Sequence, residues 1–301
     1  MAAQIGSETT PAIGAVFISE HWASEAQLAT RKRQVLGGSV DTQYESEMSS
    51  GRILHIAHVL NQAATSKSDN TLVVPDAQTP TNQDITVSRY FYTATNWQFQ
   101  TQVQADIVTV EDIAGQMGYA LQGQVETDLA GLPDGLTTNT VGTFGQELTM
   151  DDWELVWQKM QLGLAPKGNR YAWLSSAAVS AIRKLGTPIS SEFTRSNLAA
   201  MDEATIGMFL GFRILESQYL ESPATGQHDC GVHYKGSGRD GGQYILIRQK
   251  LPTMERDRII GDLSTLVVCW ELFITAEREI IKEASGAESL DDAWGVWLKT
   301  V

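Results

Sequence analysis

Residues 84–104, "DITVSRYFYTATNWQFQTQVQ", alternate in side-chain character along their whole length. Val87, Arg89, Phe91 and Thr93 fall on one face, and Ser88, Tyr90, Tyr92 and Ala94 on the other. Further along, Trp97, Phe99, Thr101 and Val103 share a face against Gln98, Gln100, Gln102 and Gln104. A period of two is the signature of an extended strand. Upstream, "GRILHIAHVL" (51–60) and "TLVVPD" (71–76) also read as strands, separated by the polar, turn-forming "NQAATSKSDN" (61–70). The segment as a whole predicts a long two-stranded projection. An isolated hairpin is marginal in water, so this one is expected to lie against something else. Without a core nearby, that partner is another subunit.

A helix follows. Ile113, Met117, Leu121, Val125 and Leu129 recur at every fourth position, and Thr109 with Asp112 makes a capping box, which predicts a helix over 109–130. Gly115, Gly118 and Gly123 lie inside it, each costing up to about 1 kcal/mol of propensity, so close packing against another backbone is expected. Gly131, Pro133 and Gly135 end it. A second helix starts at Thr149 ("TMDDWELVWQKMQLG") with Asp152 closing its capping box. "RYAWLS" is a short buried strand, and "SSAAVSAIRKLG" a third helix. "GQYILIRQ" and "STLVVCWELFITA" read as strands. "ESLDDAWGVWLKTV" (288–301) is expected to be a short helix with Trp294, Trp297 and Leu298 on one side. Residues 1–16 read as an irregular arm, and 17–35 as a weakly amphipathic helix stopped at Leu36-Gly37-Gly38. The class is mixed α+β, without an internal repeat.

Charge restricts the partners. The chain has 301 residues, 19% of them charged, and a net charge of -14. Such a chain repels phosphate backbones, so any relation to DNA is containment rather than grip. The two cysteines, Cys230 and Cys269, make neither a disulfide framework nor a C-x-x-C pair. "MAAQIGSETTPAIG" has no basic and apolar leader, and no apolar run approaches the roughly 20 residues of a membrane helix, so a soluble protein without membrane association is expected.

Signatures of chemistry are absent from the sequence. It has no G-x-x-x-x-G-K-[ST], no G-x-G-x-x-G and no G-x-S-x-G. His228, Cys230 and His233 ("HDCGVH") lack a further Cys or His nearby, and an irregular polar loop is expected there rather than a zinc site. His55 and His58 should face opposite sides of a strand. "KGSGRDGG" (235–242) reads as a surface loop. Asp151/Asp152 and Asp291/Asp292 read as helix starts with dipole compensation. "MERDRIIGD" (254–262) is either a solvated turn or a salt-bridging contact between subunits. Gly207 and Gly211 in "IGMFLGFRILESQYL" lack the flanks of a membrane or phosphate motif, and read as a corner where backbone turns and packs closely. No catalytic residue, metal ligand or cofactor is expected.

The ordered series of elements resembles the major capsid proteins of tailed bacteriophages, the Hong Kong 97-type fold, over about residues 17–285. "FISEHWASEAQLATRKRQVLGGSV" looks like the N-terminal arm, "SSGRILHIAHV" the outgoing strand of the extended loop and "YFYTATNWQFQTQVQADI" its return strand. Residues 109–130 are similar to the spine helix. "NRYAWLSSAAVSAIRKL" and "IGMFLGFRILES" are similar to axial-domain segments, and "MERDRIIGDLSTLVVCWELFITAEREIIKEA" to the closing peripheral strand. The resemblance implies an N-terminal arm (1–48), an extended loop (49–104), a peripheral domain (105–132 and 251–277), an axial domain (133–250 and 278–285) and a C-terminal tail (286–301). It implies a shell subunit forming pentamers and hexamers around double-stranded DNA in the virion, assembled in the host cytoplasm. A portal protein, a separate scaffolding protein (the chain being too short for a fused one) and a cement protein are the implied partners. Inter-subunit contacts are expected at Arg52, Lys67, Asp69, Arg89, Glu255, Arg256, Asp257, Arg258, Trp294 and Trp297. A few members crosslink a loop lysine to a peripheral-domain asparagine. Lys67 is suitably placed, but no asparagine follows Asn197, so no crosslink is expected. An encapsulin-like compartment shares the fold, and a soluble enzyme using the "HDCGVH" or "KGSGRDGG" segments is the contrasting reading.

Overall fold

The computed structural model describes residues 34–58, 64–73, 75, 81–98, 110–185, 207–220, 228–237, 240–261, 263–284, 287–291 and 294–300. In chain order its strands and helices are β1 (Ile53–His58), β2 (Thr81–Thr86), β3 (Arg89–Gln98), α1 (Val110–Ala130), β4 (Thr140–Gly142), α2 (Met150–Leu162), β5 (Arg170–Leu174), α3 (Ser176–Lys184), β6 (Met208–Phe209), β7 (Phe212–Glu216), β8 (His228–Tyr234), β9 (Gly236–Ser237), β10 (Asp240–Gly241), β11 (Tyr244–Ile259), β12 (Ser264–Glu277), β13 (Ile280–Ala284), β14 (Ala287–Asp291) and β15 (Gly295–Thr300). The class is mixed helix and sheet, as the alternating periodicities require.

One sheet is a long ribbon. β11 and β12 pair antiparallel with irregularities between Arg248 and Thr253, and β3 pairs along the other side of β12. α1 covers one face. Met117 and Leu121 pack on Val267 and Cys269, while Val125 and Leu129 join Phe273 in a second cluster. The expected stripe of α1 is thus buried where it is described. Its cap residue Thr109 lies outside the described residues. Its glycines do not do what was expected of them. A Cβ at Gly115 or Gly118 would meet nothing within 4 Å, and one at Gly123 meets only the Tyr219 hydroxyl, 3.1 Å away.

The projecting hairpin differs from the expected one. β1 pairs with β2, from Ile53↔Thr86 to His58↔Thr81, and the alternating run of β3 is not its return strand. The break falls at Val87-Ser88, where the Val87 N–H donates to the Arg52 carbonyl and closes the hairpin base. Beyond it, the Phe91-Thr93-Thr95 face finds a better partner in the half-apolar β12. Residues 71–73 are not a strand either. They follow Asn70, whose φ of 63° turns the chain, and Leu72 and Val73 are 93% and 73% exposed with no strand beside them among the described residues. "MERDR" is no solvated turn: β11 continues through it because β12 supplies a ladder partner, and the turn comes after Ile259.

The second sheet has six strands in the order β4-β15-β8-β5-β7-β6. β15 runs parallel to β4 and antiparallel to β8, and β5 runs parallel to β7. α2 and α3 pack on it through Trp153, Val156, Met160, Val179 and Ile182 against Val232, Val296 and Leu298. Thr149 caps α2 with the expected reciprocal capping box to Asp152, and the Ser175 hydroxyl accepts the Ala178 N–H at the start of α3. The helix expected over 288–301 is instead β14 and β15. Val296, Leu298 and Thr300 are buried and Trp297 and Lys299 half-buried, a period of two that the three apolar residues had masked. Trp297 and Leu298 therefore face opposite sides, and Asp291 ends a strand rather than starting a helix. "HDCGVH" is likewise a central strand, β8, rather than a loop. "KGSGRDGG" carries the small β9–β10 pair.

The segment before β1 joins the two sheets. The fully buried Glu126 of α1 accepts backbone N–H bonds from Val35, Leu36 and Gly37 at 3.1, 2.9 and 3.0 Å. The Ser39 hydroxyl accepts the Trp173 indole N–H at 2.6 Å, the Ser39 carbonyl meets His233 Nε2 at 3.0 Å, and Asp41 bridges in parallel to Ile245.

Candidate functional site

The residues with chemical potential are committed to structure. Alternation along β8 puts Cys230 and His233 on opposite faces. Burial pushes the Cys230 thiol up to about 11, far from a reactive thiolate. His233 lies among Tyr171, Trp173 and Tyr244, and burial lowers its pKa to about 4. His55 is exposed and His58 buried, as their spacing predicted. Among the described residues, no group of His, Cys, Asp and Glu is arranged to hold a metal, and no helix is long and apolar enough to cross a membrane. A polar cavity of about 390 Å³ beside the joint is lined by Gln34, Thr42, Glu45, Gln122, Glu126 and Arg248. Arg248 donates to Gln122 at 2.9 Å and lies 3.6 Å from the buried Glu271, so its charge is spent internally. Burial raises the Glu271 carboxyl, and Arg248 only partly offsets this.

What remains is surface. The sheet face away from α1 is covered at one end, where Ile245, Ile247, Leu272 and Ile274 pack with Ile56 and Ile85 of the hairpin, and is exposed towards the other. On β3 it carries Tyr90 and Tyr92, 60% and 67% exposed. Their partners across the ladder are Leu272 and Trp270, and Tyr90 meets Trp270 edge-on at 5.7 Å. The Trp270 indole N–H donates to Glu255 at 3.3 Å, and the Lys250 ammonium lies 5.8 Å from its ring centre. The far end of the ribbon, from Met254 to Arg258, is exposed throughout, and its turn displays Ile260 and Leu263. Beyond the hairpin, Leu72 and Val73 stand out from a polar segment containing Lys67 and Asp69.

The expected contact residues are scattered among these surfaces. Arg52 is exposed at the hairpin base, and Lys67 and Asp69 are exposed in the segment after it. Arg89 reaches Asp128 of α1 at 3.4 Å and ties β3 to the helix. Glu255, Arg256, Asp257 and Arg258 sit together on β11. Trp294 and Trp297 are turned inward: their indole N–H groups donate to the Gly163 carbonyl and to Asp229, both at 3.0 Å. The sequence reading passed over Tyr90, Tyr92, Trp270, Leu72, Val73, Ile260 and Leu263. The alternation of β3 and β12 held the signal for the first three, because one face is covered by α1 and, among the described residues, the hairpin covers only part of the other.

The sequence matches no protein-family model and no curated protein. The three-dimensional structure does find counterparts. A structure from Mycobacterium phage Che8 superposes with a TM-score of 0.72 at 18% identity, over 94% of this chain and 97% of that one. The capsid structure of cyanophage P-SCSP1u gives 0.72 at 15% identity, over 100% and 97%. The mature capsid of bacteriophage PhiM1 gives 0.68 at 12% identity, over 94% and 92%. With nearly the whole of both chains matched in each case, the fold of this protein is that of a tailed-bacteriophage major capsid protein.

Proposed function

We propose that this protein is the shell subunit of a phage head, of the Hong Kong 97 type, that assembles with copies of itself around a double-stranded DNA genome. The observation that carries the reading is the end-to-end match to the P-SCSP1u capsid chain. The surfaces support it. The chain exposes Leu72 and Val73 on a projection and leaves an aromatic sheet face open, features that a monomer has no use for. From Met117 to Leu129 the apolar stripe of α1 is taken by its own sheet. The projection is therefore better matched to a neighbour's open sheet face than to a neighbour's spine helix. The axial domain is the six-stranded sheet with α2 and α3, and the peripheral domain is the ribbon with α1. The net charge of -14 suits a wall that contains DNA without gripping it. Portal, scaffolding and cement proteins are the further partners expected of such a shell.

Electron microscopy of the purified protein tests the reading. Closed, uniform particles that protect nucleic acid from nuclease are expected from infected or expressing cells. A small discrete oligomer at all concentrations would overturn it. Deleting residues 64–73 should leave a folded subunit whose particles are missing or lose heat resistance.

A further inference from the structure

Charge is unevenly spread over this chain, and the net value of -14 hides one end of the six-stranded sheet where cations gather. β5 and β7 run parallel and begin at that end, and β8, antiparallel to β5, finishes there. Arg213 on β7 pairs with Tyr171 on β5, and Lys235 follows the last residue of β8. Ala172, Leu174, Phe212 and Ile214 pack in the cluster under α2 and α3, so alternation turns Tyr171 and Arg213 to the other face. The Arg213 guanidinium and the Lys235 ammonium lie 5.8 and 6.0 Å from the centre of the Tyr171 ring. Lys167 is exposed in the turn before β5, and the Lys235 N–H donates to the Asn169 carbonyl of the same turn. Arg170 is buried behind that turn, where it donates to the carbonyls of Ala165 and Pro166.

None of these four cations is ion-paired. Lys235 donates to the Gly38 carbonyl at 2.7 Å and Arg213 to the Tyr171 hydroxyl at 3.4 Å. Both acceptors are neutral, so each side chain keeps its charge and has N–H groups to spare. The Asp41 carboxylate lines the same small cavity as Lys235, but its oxygens take the backbone N–H groups of Gln43 and Gly242. The corner therefore carries a surplus of positive charge held around an aromatic ring. Exposed charges act over about 10 Å at 0.1 M salt, so a polyanion lying against this corner meets its cations and not the acidic remainder of the subunit. Cations beside an aromatic ring are the chemistry that holds a nucleic-acid backbone.

We propose that Lys167, Arg213 and Lys235, set around Tyr171, form a contact for the phosphate backbone of duplex DNA. The charge cluster stands on its own geometry, and the choice of DNA as its occupant rests on the shell reading. The test uses the full-length unassembled chain and a short fluorescein-labelled duplex, read by anisotropy over a series of salt concentrations. R213Q/K235Q should bind roughly tenfold or more weakly at low salt, and its slope of log affinity against log salt should be smaller by about two. R213K/K235R keeps both charges and should bind within about threefold of the parent chain. R52Q/K67Q removes as much charge elsewhere and should also stay within about threefold. Where R213Q/K235Q unfolds early, K167Q in its exposed turn carries the test, with a slope change of about one. Equal losses in R213Q/K235Q and R52Q/K67Q would mean that only net charge matters, and would overturn the contact. A parent chain that does not bind the duplex at the lowest salt would overturn it too. Polyglutamate displacing the duplex as readily as unlabelled duplex does would give the surface to an acidic protein segment instead. A chain that forms particles but does not bind the duplex loses this contact and keeps the shell reading. One that binds the duplex and never forms particles keeps the contact and loses the shell reading.

Discussion

His233 is held neutral by its surroundings. Trp173 and Tyr244 enclose the ring, and the cost of burying a charge, with added repulsion from the nearby Lys235, outweighs the Ser39 carbonyl at Nε2, which by itself favours the protonated ring. Its pKa of about 4 lies below the ordinary value of 6.5, so between these limits the unfolded chain binds the extra proton. Stability is fully present above pH 6.5 and falls as pH drops towards 4, by about 3 kcal/mol across the window. Denaturant unfolding at pH 7 and pH 4.5 should show this loss, and His233→Phe should flatten the slope. Gly211 makes a different kind of demand. With Leu210 at φ 47° and Gly211 at 86°, it forms a two-residue turn between β6 and β7, and a Cβ there would meet nothing within 4 Å. The corner was legible in the sequence, but its cause is the turn and not crowding. Gly211→Ala should cost about 1 kcal/mol, read as a lower unfolding midpoint. The role of His233 was not legible, because its partners Ser39, Trp173 and Tyr244 come from distant parts of the chain.

Elements with a local signal were read from the sequence nearly to their ends. α1, α2 and α3 announce themselves by a four-residue stripe or a cap, and Thr149→Ala should remove about 1 kcal/mol by taking away the hydroxyl that accepts the Asp152 N–H, while the backbone N–H of residue 149 still reaches the Asp152 carboxylate. β1, β3, β5, β11 and β12 were legible as strands but not as pairs, whereas β8 read as a loop, β14 and β15 as a helix, and 71–73 as a strand that does not form. Alternation says that β3 is extended, and nothing local says that its ladder partner is β12 rather than β1. The misread C-terminal segment has the same origin, since Trp294, Trp297 and Leu298 fit a helical spacing as well as a strand. The clamp on residues 35–37 belongs to this scale too. Glu126 takes three N–H groups with two oxygens, and Glu126→Gln turns one acceptor into a donor aimed at donors. A loss of about 2–3 kcal/mol is expected, together with faster proteolysis near residue 35.

For the whole molecule, the surface matters more than the core. The exposed patches lie on the projection, on the exposed part of the sheet face, at the ribbon end and along α2, where Leu155, Trp157, Leu162 and the following Leu164 are exposed, while the interior holds His233 and both cysteines. Leu72→Ser with Val73→Ser should therefore leave the unfolding of the isolated subunit unchanged within about 0.5 kcal/mol, because both side chains touch little of their own chain. The same pair should lower the temperature at which assembled particles come apart, measured by light scattering. Equal heat resistance with and without the two side chains would mean that the projection covers no neighbour.

The position of β15 sets the order in which the chain can fold. Among the described residues it is the only strand paired with β4, and it separates β4 from β8 in the finished sheet. Until residues 295–300 have left the ribosome, β4 is unpaired and the six-stranded sheet has a gap inside it. Pairing across some 150 residues of chain is slow to close, so this half of the subunit completes only after synthesis has passed all of its other strands. A nascent chain whose residues 295–300 have not yet emerged thus lacks a finished sheet to offer its neighbours, and association among copies is deferred until that strand is in place.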